Sequence, residues 1–299
     1  MAHIIRLATA FTLALTTAAA AQDVTIETAT GPVTLPAQPQ TVVALDIAAL
    51  DTLDALGVQI AGIPAPHFVT YLDDVAAQAQ NVGSLFEPDF EALANMAPDL
   101  IVAGGRSSRQ VDALSEVGTT IDMTIYGDDH VAAALARLDA YGTLMGLEGE
   151  ADAVEADFNA KLDAARAAVA DQGDALIVMT NGPTVSAFGA GSRFGWIHQA
   201  LDLPEAVEGV DQQTHGEAIS FEFIAEANPD WLIVVDRSSA IGQPADAASQ
   251  TLDNALVAQT TAWQQGQVIY LTSANVYIAG GGIQSMGMTL DEVTAAFGG

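Results

Sequence analysis

The chain of 299 residues carries 38 acidic and only 8 basic side chains, which gives a formal net charge of −30. Nucleic acid is excluded as a partner, because phosphate binding depends on clustered lysine and arginine. The length suggests about two domains, and the hydrophobic content of 50% is ample for a packed core in each of them.

The first 21 residues have the order of a secretory signal peptide. His3 and Arg6 precede an apolar run at residues 7–15, and small residues follow up to Ala20 and Ala21. The run is shorter than the roughly 20 apolar residues that a membrane span needs. We expect cleavage after Ala20 or Ala21 and a soluble protein in the periplasm. The sequence has no cysteine for a disulfide or a lipid anchor.

Strand-like runs of β-branched and apolar residues recur through the rest of the chain. Helical patterns alternate with them, which predicts βα units and largely parallel sheets. The predicted strands cover residues 41–45, 59–63, 100–103, 119–124, 175–179, 184–188, 231–235 and 268–271.

A long helix is predicted near the middle of the chain. Apolar residues recur there at steps of three and four from residue 148 to about 171, which corresponds to about six turns. A surface helix inside a single domain is the alternative. We favour a helix that connects two Rossmann-like α/β lobes with a ligand cleft between them. The predicted divisions are a signal peptide at 1–21, an N-terminal lobe at 22–146, a connecting helix at 147–172 and a C-terminal lobe at 173–299.

The two predicted lobes share a repeat. FEALANMAPDLIVAGGR, residues 90–106, aligns without a gap on FEFIAEANPDWLIVVDR, residues 221–237. Each copy predicts a short helix, a turn at Pro-Asp and a buried strand that ends in an arginine, Arg106 or Arg237. Ligands of open parallel sheets collect beyond the carboxyl ends of the strands. We therefore expect both arginines to point into a shared cleft.

The other basic residues separate into loops and helices. Arg193 lies in the Gly-rich turn FGAGSRFGW, whose glycine spacing misses the dinucleotide fingerprint by one residue, so an anion site is favoured over a nucleotide site. Arg109 lies beside the loop of Arg106. Arg137, Lys161 and Arg166 fall on helical patterns beside acidic residues, and we assign them to solvated faces with weak ion pairs.

Five residues form the candidate ligand site. Any one loop arginine is more often neutralised by a neighbouring acid, but repetition across both lobes favours a cationic basket of Arg106, Arg193 and Arg237. His215 and Tyr277 also lie in loops, where a surface or packing role is the ordinary interpretation. Imidazole and phenolate are nevertheless both competent ligands of a hard ferric ion.

Four stretches of the sequence carry a family resemblance: TVVALDIAALDTLDALG, GSLFEPDFEALANMAPDLIVAGGR, GAGSRFG and YIAGGGIQSMGMTLDEV. Together they resemble the periplasmic-binding-protein family of ferric siderophore transporters, in the branch that binds iron catecholates. The resemblance covers essentially the whole mature chain. It implies two lobes joined by one helix with little hinge motion, no enzymatic activity, no permanent cofactor, and iron(III) bound as a siderophore complex.

The resemblance also implies roles for individual residues. In that branch three arginines hold the catecholate oxygens, and the matching positions here are Arg106, Arg193 and Arg237. Some members complete the iron coordination with a histidine and a tyrosine, and the matching positions are His215 and Tyr277.

One glutamate per lobe docks such proteins on the ABC permease of the inner membrane. The repeat places Glu91 and Glu222 at these positions, although stabilisation of a helix first turn would explain both residues equally well. We expect a monomer that binds a ferric siderophore.

Other ligands and another class of protein are the alternatives. Haem or a corrinoid would suit the same fold, but buried arginines match a near-neutral corrinoid or hydroxamate poorly. An α/β nucleotide-binding enzyme is less favoured, because no nucleophile and base stand out and both G-x-S-x-G and HExxH are absent.

Overall fold

The computed structural model describes residues 23–125, 129–210, 216–244 and 247–298. The predicted signal peptide and His215 lie outside these residues, so both remain predictions. None of the helices in the described part of the chain combines the length and the apolar character that a bilayer crossing needs.

The first lobe contains an antiparallel hairpin and a parallel sheet. The hairpin pairs β1 (Asp23–Thr28) with β2 (Gly31–Pro36). The sheet is built from β3 (Val42–Ala44), β4 (Ile60–Ile63), β5 (Gln80–Asn81), β6 (Leu100–Ala103) and β7 (Thr120–Asp122). Its strand order is β5-β4-β3-β6-β7, and every neighbouring pair is parallel.

Helices connect these strands, and side chains fix where several of them begin. The helices are α1 (Ile47–Ala55), α2 (Asp73–Ala76), α3 (Phe90–Met96), α4 (Val111–Leu114) and α5 (His130–Met145), with 3-10 turns at Thr70–Leu72 and Gly105–Gln110. Asp46, Asp89 and Asp129 accept hydrogen bonds from the first turns of α1, α3 and α5. Such caps satisfy backbone N–H groups that have no partner inside the helix.

The predicted long helix is α6 (Glu148–Val169), of 22 residues. Its buried residues recur at the predicted steps and include Ala151, Phe158, Leu162 and Ala165. A helix of this length spans about 33 Å, which is enough to connect two lobes.

The second lobe contains a mixed sheet of β8 (Ala175–Asn181), β9 (Thr184–Phe188), β10 (Glu217–Ile219), β11 (Trp231–Asp236) and β12 (Val268–Tyr270). Its order is β10-β9-β8-β11-β12, in which β9 alone runs antiparallel to its neighbours. Taken in chain order, both sheets place their five strands as third, second, first, fourth and fifth. The predicted fold class is confirmed: two α/β lobes with largely parallel sheets.

Seven helices lie among the described residues of this half of the chain. They are α7 (Trp196–Leu201), α8 (Phe221–Ala227), α9 (Arg237–Ala240), α10 (Ala248–Thr251), α11 (Thr261–Gln265), α12 (Ser273–Tyr277) and α13 (Ile283–Phe297), with a 3-10 turn at Val257–Gln259. The last helix, α13, packs along α6 and also against α1 of the first lobe. The predicted C-terminal lobe therefore contacts its partner through more than the connecting helix. The exact lobe boundaries stay a prediction.

The repeat adopts the same conformation in both lobes. Helices α3 and α8 each end at a residue in the left-handed region, Ala97 with φ 50° and Asn228 with φ 41°. After the proline, the Asp99 carboxylate accepts hydrogen bonds from backbone N–H groups just before β3. Asp230 accepts one from the residue just before β8. Each aspartate thus ties its own strand to the first strand of its sheet.

The prediction for Arg137 was wrong. Its guanidinium donates to the main-chain carbonyls of Met123, Thr124 and Glu27 at 3.2, 3.0 and 3.2 Å, so the side chain joins α5 to β1 and to the end of β7. Asp139 is not its partner, because residues two apart on a helix do not share a face.

The other two helical cations match the prediction. Lys161 lies 3.8 Å from Asp157 and 2.7 Å from Asp291 on α13. Arg166 lies 3.7 Å from Asp163 on the exposed side of α6.

Candidate functional site

Three arginines approach one tyrosine from three different loops. Arg106 lies in the 3-10 turn directly after β6, and Arg237 opens α9 directly after β11. Arg193 lies in the Gly-rich turn between β9 and α7. Arg106 and Arg237 thus lie beyond the carboxyl ends of parallel strands, one in each lobe, and Arg193 approaches from a separate loop of the second lobe.

Main-chain oxygens at the carboxyl end of α12 accept hydrogen bonds from two of the arginines. The carbonyl of Tyr277 accepts from Nη2 of Arg106 and from Nη2 of Arg193, both at 2.8 Å. Nη1 of Arg106 also donates to the carbonyl of Ile278 at 3.3 Å. One backbone oxygen therefore receives a guanidinium from each lobe.

The third arginine contacts the side chain of the same tyrosine. Nε of Arg237 donates to the Tyr277 hydroxyl at 3.2 Å, and Nη1 donates to Oδ1 of Asn181 at 3.1 Å. Asn181 is the last residue of β8, so it lies at the same edge of the sheet.

The guanidinium groups also surround the aromatic ring. Their central carbons lie 5.2 Å (Arg106), 4.5 Å (Arg193) and 5.9 Å (Arg237) from the ring centroid of Tyr277. Arg193 is in addition 4.9 Å from the ring of Phe194. Distances of this size allow cation–π attraction, which offsets part of the repulsion among three like charges.

None of these arginines has a carboxylate partner within the described part of the chain. The carboxylates that contact basic side chains there lie against other residues, namely His67, Lys161 and Arg166. Burial lowers the pKa of Arg193 to about 10, and the charge of Arg106 acts in the same direction. The guanidinium remains charged at neutral pH, so the cluster holds concentrated positive charge in a very acidic protein.

A buried acid lies near the cluster but is used elsewhere. The carboxylate of Asp46 caps α1 by accepting from the N–H of Ala49. Burial raises its pKa, while that N–H and the charge of Arg106 oppose the rise. Asp46 therefore influences Arg106 through space without forming an ion pair with it.

The tyrosine itself is tuned toward its anionic form. Burial acts to raise the pKa of Tyr277, but the hydrogen bond from Arg237 and the charges of all three arginines outweigh it and leave the pKa below its ordinary value. A phenol with a lowered pKa loses its proton to a metal ion more readily.

The other predicted site residues take separate positions. Glu91 and Glu222 lie on the exposed first turns of α3 and α8, one in each lobe. A hydrogen bond from its own backbone N–H and another from Ser220 lower the pKa of Glu222, which keeps it ionised. His215 lies outside the described residues.

Several contacts in the cluster were not foreseen. Asn181 could have been found by the same strand-end rule that located Arg237, because it ends the neighbouring strand β8. The carbonyls of Tyr277 and Ile278 leave no trace in a sequence, because every residue has one. Phe194, next to Arg193, had no pattern that set it apart from a core aromatic.

A groove lies between residues of the two lobes. A cavity of about 450 Å³ has Phe68 and Thr70 of the first lobe on one wall and residues of α9, α12 and the end of β12 on the other. Ser239 and Asn275 are among its polar lining groups. Cavities of this size hold small organic molecules, although the residues that line this one are sequence neighbours of Arg237 and Tyr277 and not those two residues themselves.

Comparison with known proteins identifies a family of binding proteins. A family model described as periplasmic binding protein matches residues 42–274. The petrobactin-binding protein YclQ of Bacillus subtilis is 34% identical over 266 residues, covering 87% of this chain and 83% of its own. The ferric-anguibactin-binding protein FatB of Vibrio anguillarum is 31% identical over 283 residues, covering 92% and 87%.

Solved structures agree in fold over nearly the whole chain. The crystal structure of YclQ superposes with a TM-score of 0.86 at 31% identity, covering 92% of this chain and 99% of that one. The periplasmic catecholate-siderophore binding protein VctP of Vibrio cholerae superposes with a TM-score of 0.81 at 32% identity, covering 92% and 100%.

Proposed function

The chain belongs to the family of periplasmic binding proteins, and from this premise we propose that it captures an anionic ferric siderophore of the catecholate type and delivers it to an ABC permease. The relatives support this choice of cargo, because YclQ, FatB and VctP are each named for a siderophore. Binding proteins of this family are not enzymes, and the arginine cluster is suited to hold an anion.

The observation that carries the proposal is the convergence of Arg106, Arg193 and Arg237 from both lobes without a carboxylate partner in the described residues. Deprotonated catechols leave a ferric complex with net negative charge at its oxygens. Guanidinium groups bind such oxygens through short charge-assisted hydrogen bonds. The three arginines are therefore proposed to hold the catecholate oxygens.

Tyr277 is proposed to act as a ligand of the ferric ion. Its lowered pKa favours the phenolate that would coordinate the metal. It would complete the coordination when a siderophore supplies only two catechols, together with His215 as the predicted second ligand. A siderophore with three catechols saturates the iron and would not need either residue.

Delivery is proposed to use the two exposed glutamates. Glu91 and Glu222 occupy equivalent positions in the repeat and project from opposite lobes, which suits a permease with one basic contact for each lobe. The predicted periplasmic location and the predicted monomer belong to the same proposal.

Ligand titration tests the proposed cargo. We expect a ferric tris-catecholate to quench tryptophan fluorescence and to show a broad visible charge-transfer band when bound to the mature protein. Trp196 lies three residues after Arg193 and should report the event. Haem, the alternative ligand, would give a sharp Soret band instead. No spectral change with the catecholate at micromolar concentration would refute the proposal.

A further inference from the structure

A buried carboxylate of the first lobe holds the start of the last helix. Asp51 lies on α1 and is completely buried. Its two carboxylate oxygens accept hydrogen bonds from the backbone N–H groups of Gln284 and Ser285, each at 2.8 Å, and the Tyr71 hydroxyl donates to the same carboxylate. The side-chain amide of Gln284 donates in turn to the main-chain carbonyl of Asp51 at 2.8 Å.

This cap differs from the other helix caps in the chain. Helices α1, α3, α5 and α8 are capped by the residue directly before them. The residue before α13 is Gly282, which has no side chain to serve as a cap. The cap comes instead from a residue more than two hundred positions earlier, in the other lobe. The contact therefore fixes the position of α13 relative to the first lobe.

The start of α13, which Asp51 holds, is connected to the arginine cluster by the short segment Tyr277–Gly282. The Ser285 hydroxyl lies within hydrogen-bonding distance of the carbonyls of Ala279 and Gly282, at 2.7 and 2.9 Å. Ala279 follows directly on Tyr277 and Ile278, whose carbonyls receive Arg106 and Arg193. Asp51 is thus connected to the arginine cluster by hydrogen bonds through Ser285 to Ala279, and from there by the backbone that leads back to Tyr277.

The close approach of Gly282 shows how little freedom this segment has. A Cβ atom on Gly282 would lie 2.5 Å from Cγ of Asp51. Its backbone angles, φ −75° and ψ 140°, are open to any residue, so the side chain of Asp51 excludes alanine and the backbone does not.

We propose that Asp51 is a positioning residue of the ligand site, which pins the segment Tyr277–Gly282 from the opposite lobe and so holds Tyr277 against the arginines. The inference rests on the proposed function, because it assigns a supporting residue to the same site. Asp51 itself touches neither the arginines nor the cargo. It acts through Ser285 and the segment that follows Tyr277.

A ligand-free measurement tests the pin directly. With only 8 lysines and arginines in the chain, the arginine Nε–Hε signals of the ¹⁵N-labelled mature protein can be resolved. We expect Asp51→Ala to speed hydrogen exchange at Nε of Arg237 by roughly tenfold. Arg137 and Arg166 donate from Nε to carbonyls elsewhere and should keep their rates. An unchanged Arg237 signal would overturn the inference.

Two further variants separate positioning from loss of stability. Val293→Ala removes a buried methyl pair from α13 far from its start and should leave the Arg237 exchange rate unchanged. Equal acceleration in Val293→Ala and Asp51→Ala would overturn the inference. If Asp51→Ala does not fold, Asp51→Asn, which keeps the shape and one acceptor oxygen, should give a smaller acceleration at Arg237 alone.

A double-mutant cycle then links the pin to the cargo, with a ferric tris-catecholate as the probe. We expect Gly282→Ala to weaken binding at least tenfold in the wild-type background but only slightly in Asp51→Gly, which removes the Cβ, Cγ and Oδ1 atoms of residue 51 that would clash with the new methyl group. Additive losses would overturn the inference. Absence of binding by the wild type would refute the proposed function, and the exchange experiment would still decide the role of Asp51.

Discussion

Arg106 of the first lobe donates a hydrogen bond of 2.8 Å to the main-chain carbonyl of Tyr277 in the second, across 171 positions of sequence. Arg193 donates to the same oxygen from the second lobe. At this point the described residues of the two lobes meet at a backbone dipole and not at an ion pair. This leaves the positive charge of both guanidiniums available to a ligand.

Removal of one arginine of the cluster should weaken binding of a ferric catecholate strongly. We expect Arg237→Ala to cost about 2–5 kcal/mol, because truncation leaves desolvated ligand oxygens without their partner. This corresponds to a loss of roughly 30-fold to 4000-fold in affinity, measured by fluorescence quenching.

Arg166→Ala is the matched control, since it removes one positive charge from the exposed side of α6 together with a single hydrogen bond to a main-chain carbonyl, that of Ala200. It should change the affinity by less than about twofold, as expected for a weak surface ion pair. Arg137→Ala is less suitable, because Arg137 holds three main-chain carbonyls. Similar losses in Arg237→Ala and Arg166→Ala would contradict a pocket at the cluster.

Tyr277→Phe should discriminate between two kinds of siderophore. The change removes the phenol oxygen that receives Arg237 but keeps the carbonyl that receives Arg106 and Arg193. A ferric bis-catecholate should therefore lose more affinity than a tris-catecholate, and its charge-transfer band should shift. His215→Ala should show the same preference if that residue is the second ligand. Equal weakening of both complexes would mean that Tyr277 packs without coordinating iron.

Asp51 should make stability depend on pH below neutrality. Burial raises its pKa from 3.8 to about 7, against the opposing hydrogen bonds from Tyr71, Gln284 and Ser285. Between these two values the folded protein holds the proton and the unfolded chain does not, so stability falls as pH rises. The contribution is fully present below about pH 4 and is lost at about pH 7.

The measurement is the free energy of unfolding of wild type and Asp51→Asn in denaturant at several pH values. The neutral amide cannot titrate, and the other acids cancel in the difference. We expect the advantage of the wild type over the variant to shrink by a few kcal/mol between about pH 4 and pH 7. A difference that stays constant with pH would show that Asp51 does not titrate in this range.

The two exposed glutamates should affect transport without affecting capture. Glu91→Ala and Glu222→Ala should bind the ferric siderophore as wild type does, because both residues lie on outer first turns of α3 and α8. Iron uptake by cells that depend on this protein should fall in each variant and nearly cease in the double variant.

Glu226→Ala provides the control for charge, since Glu226 is exposed one turn further along α8. Its iron uptake should equal that of the wild type. Equal uptake in Glu226→Ala and Glu222→Ala, whether reduced or normal, would contradict a specific docking role.

The strands and the connecting helix were predictable because their signals are local. The runs that became β3, β6, β8 and β11 are continuous and apolar, as central strands buried on both faces must be. β5 consists of two exposed polar residues and β10 of only three residues, and segments this short carry no such pattern. The hairpin of β1 and β2 is also mostly exposed, so it has no continuous apolar run by which it could have been predicted.

The cluster was predictable only in part. Arg106 and Arg237 follow the two repeated strands, and ligands of parallel sheets collect beyond the carboxyl ends of the strands, so the sequence could indicate that both arginines face the cleft. Their acceptors on Tyr277 and Ile278 are main-chain atoms, which no residue type reveals. The cap of α13 by Asp51 joins positions 51 and 284, and a single sequence gives no measure of such a contact.

Main-chain and side-chain oxygens of the protein already accept hydrogen bonds from the three arginines, and a ligand must compete with them. A neutral chelate would have to replace the oxygens of Tyr277 and Asn181 with acceptors no stronger than those it displaces, and so would gain little. An anionic chelate replaces these neutral oxygens with charged ones, so each guanidinium gains a stronger hydrogen bond. Charge can therefore select the ligand independently of its shape, because the ligand must displace the oxygens of Tyr277 and Asn181 from the arginines.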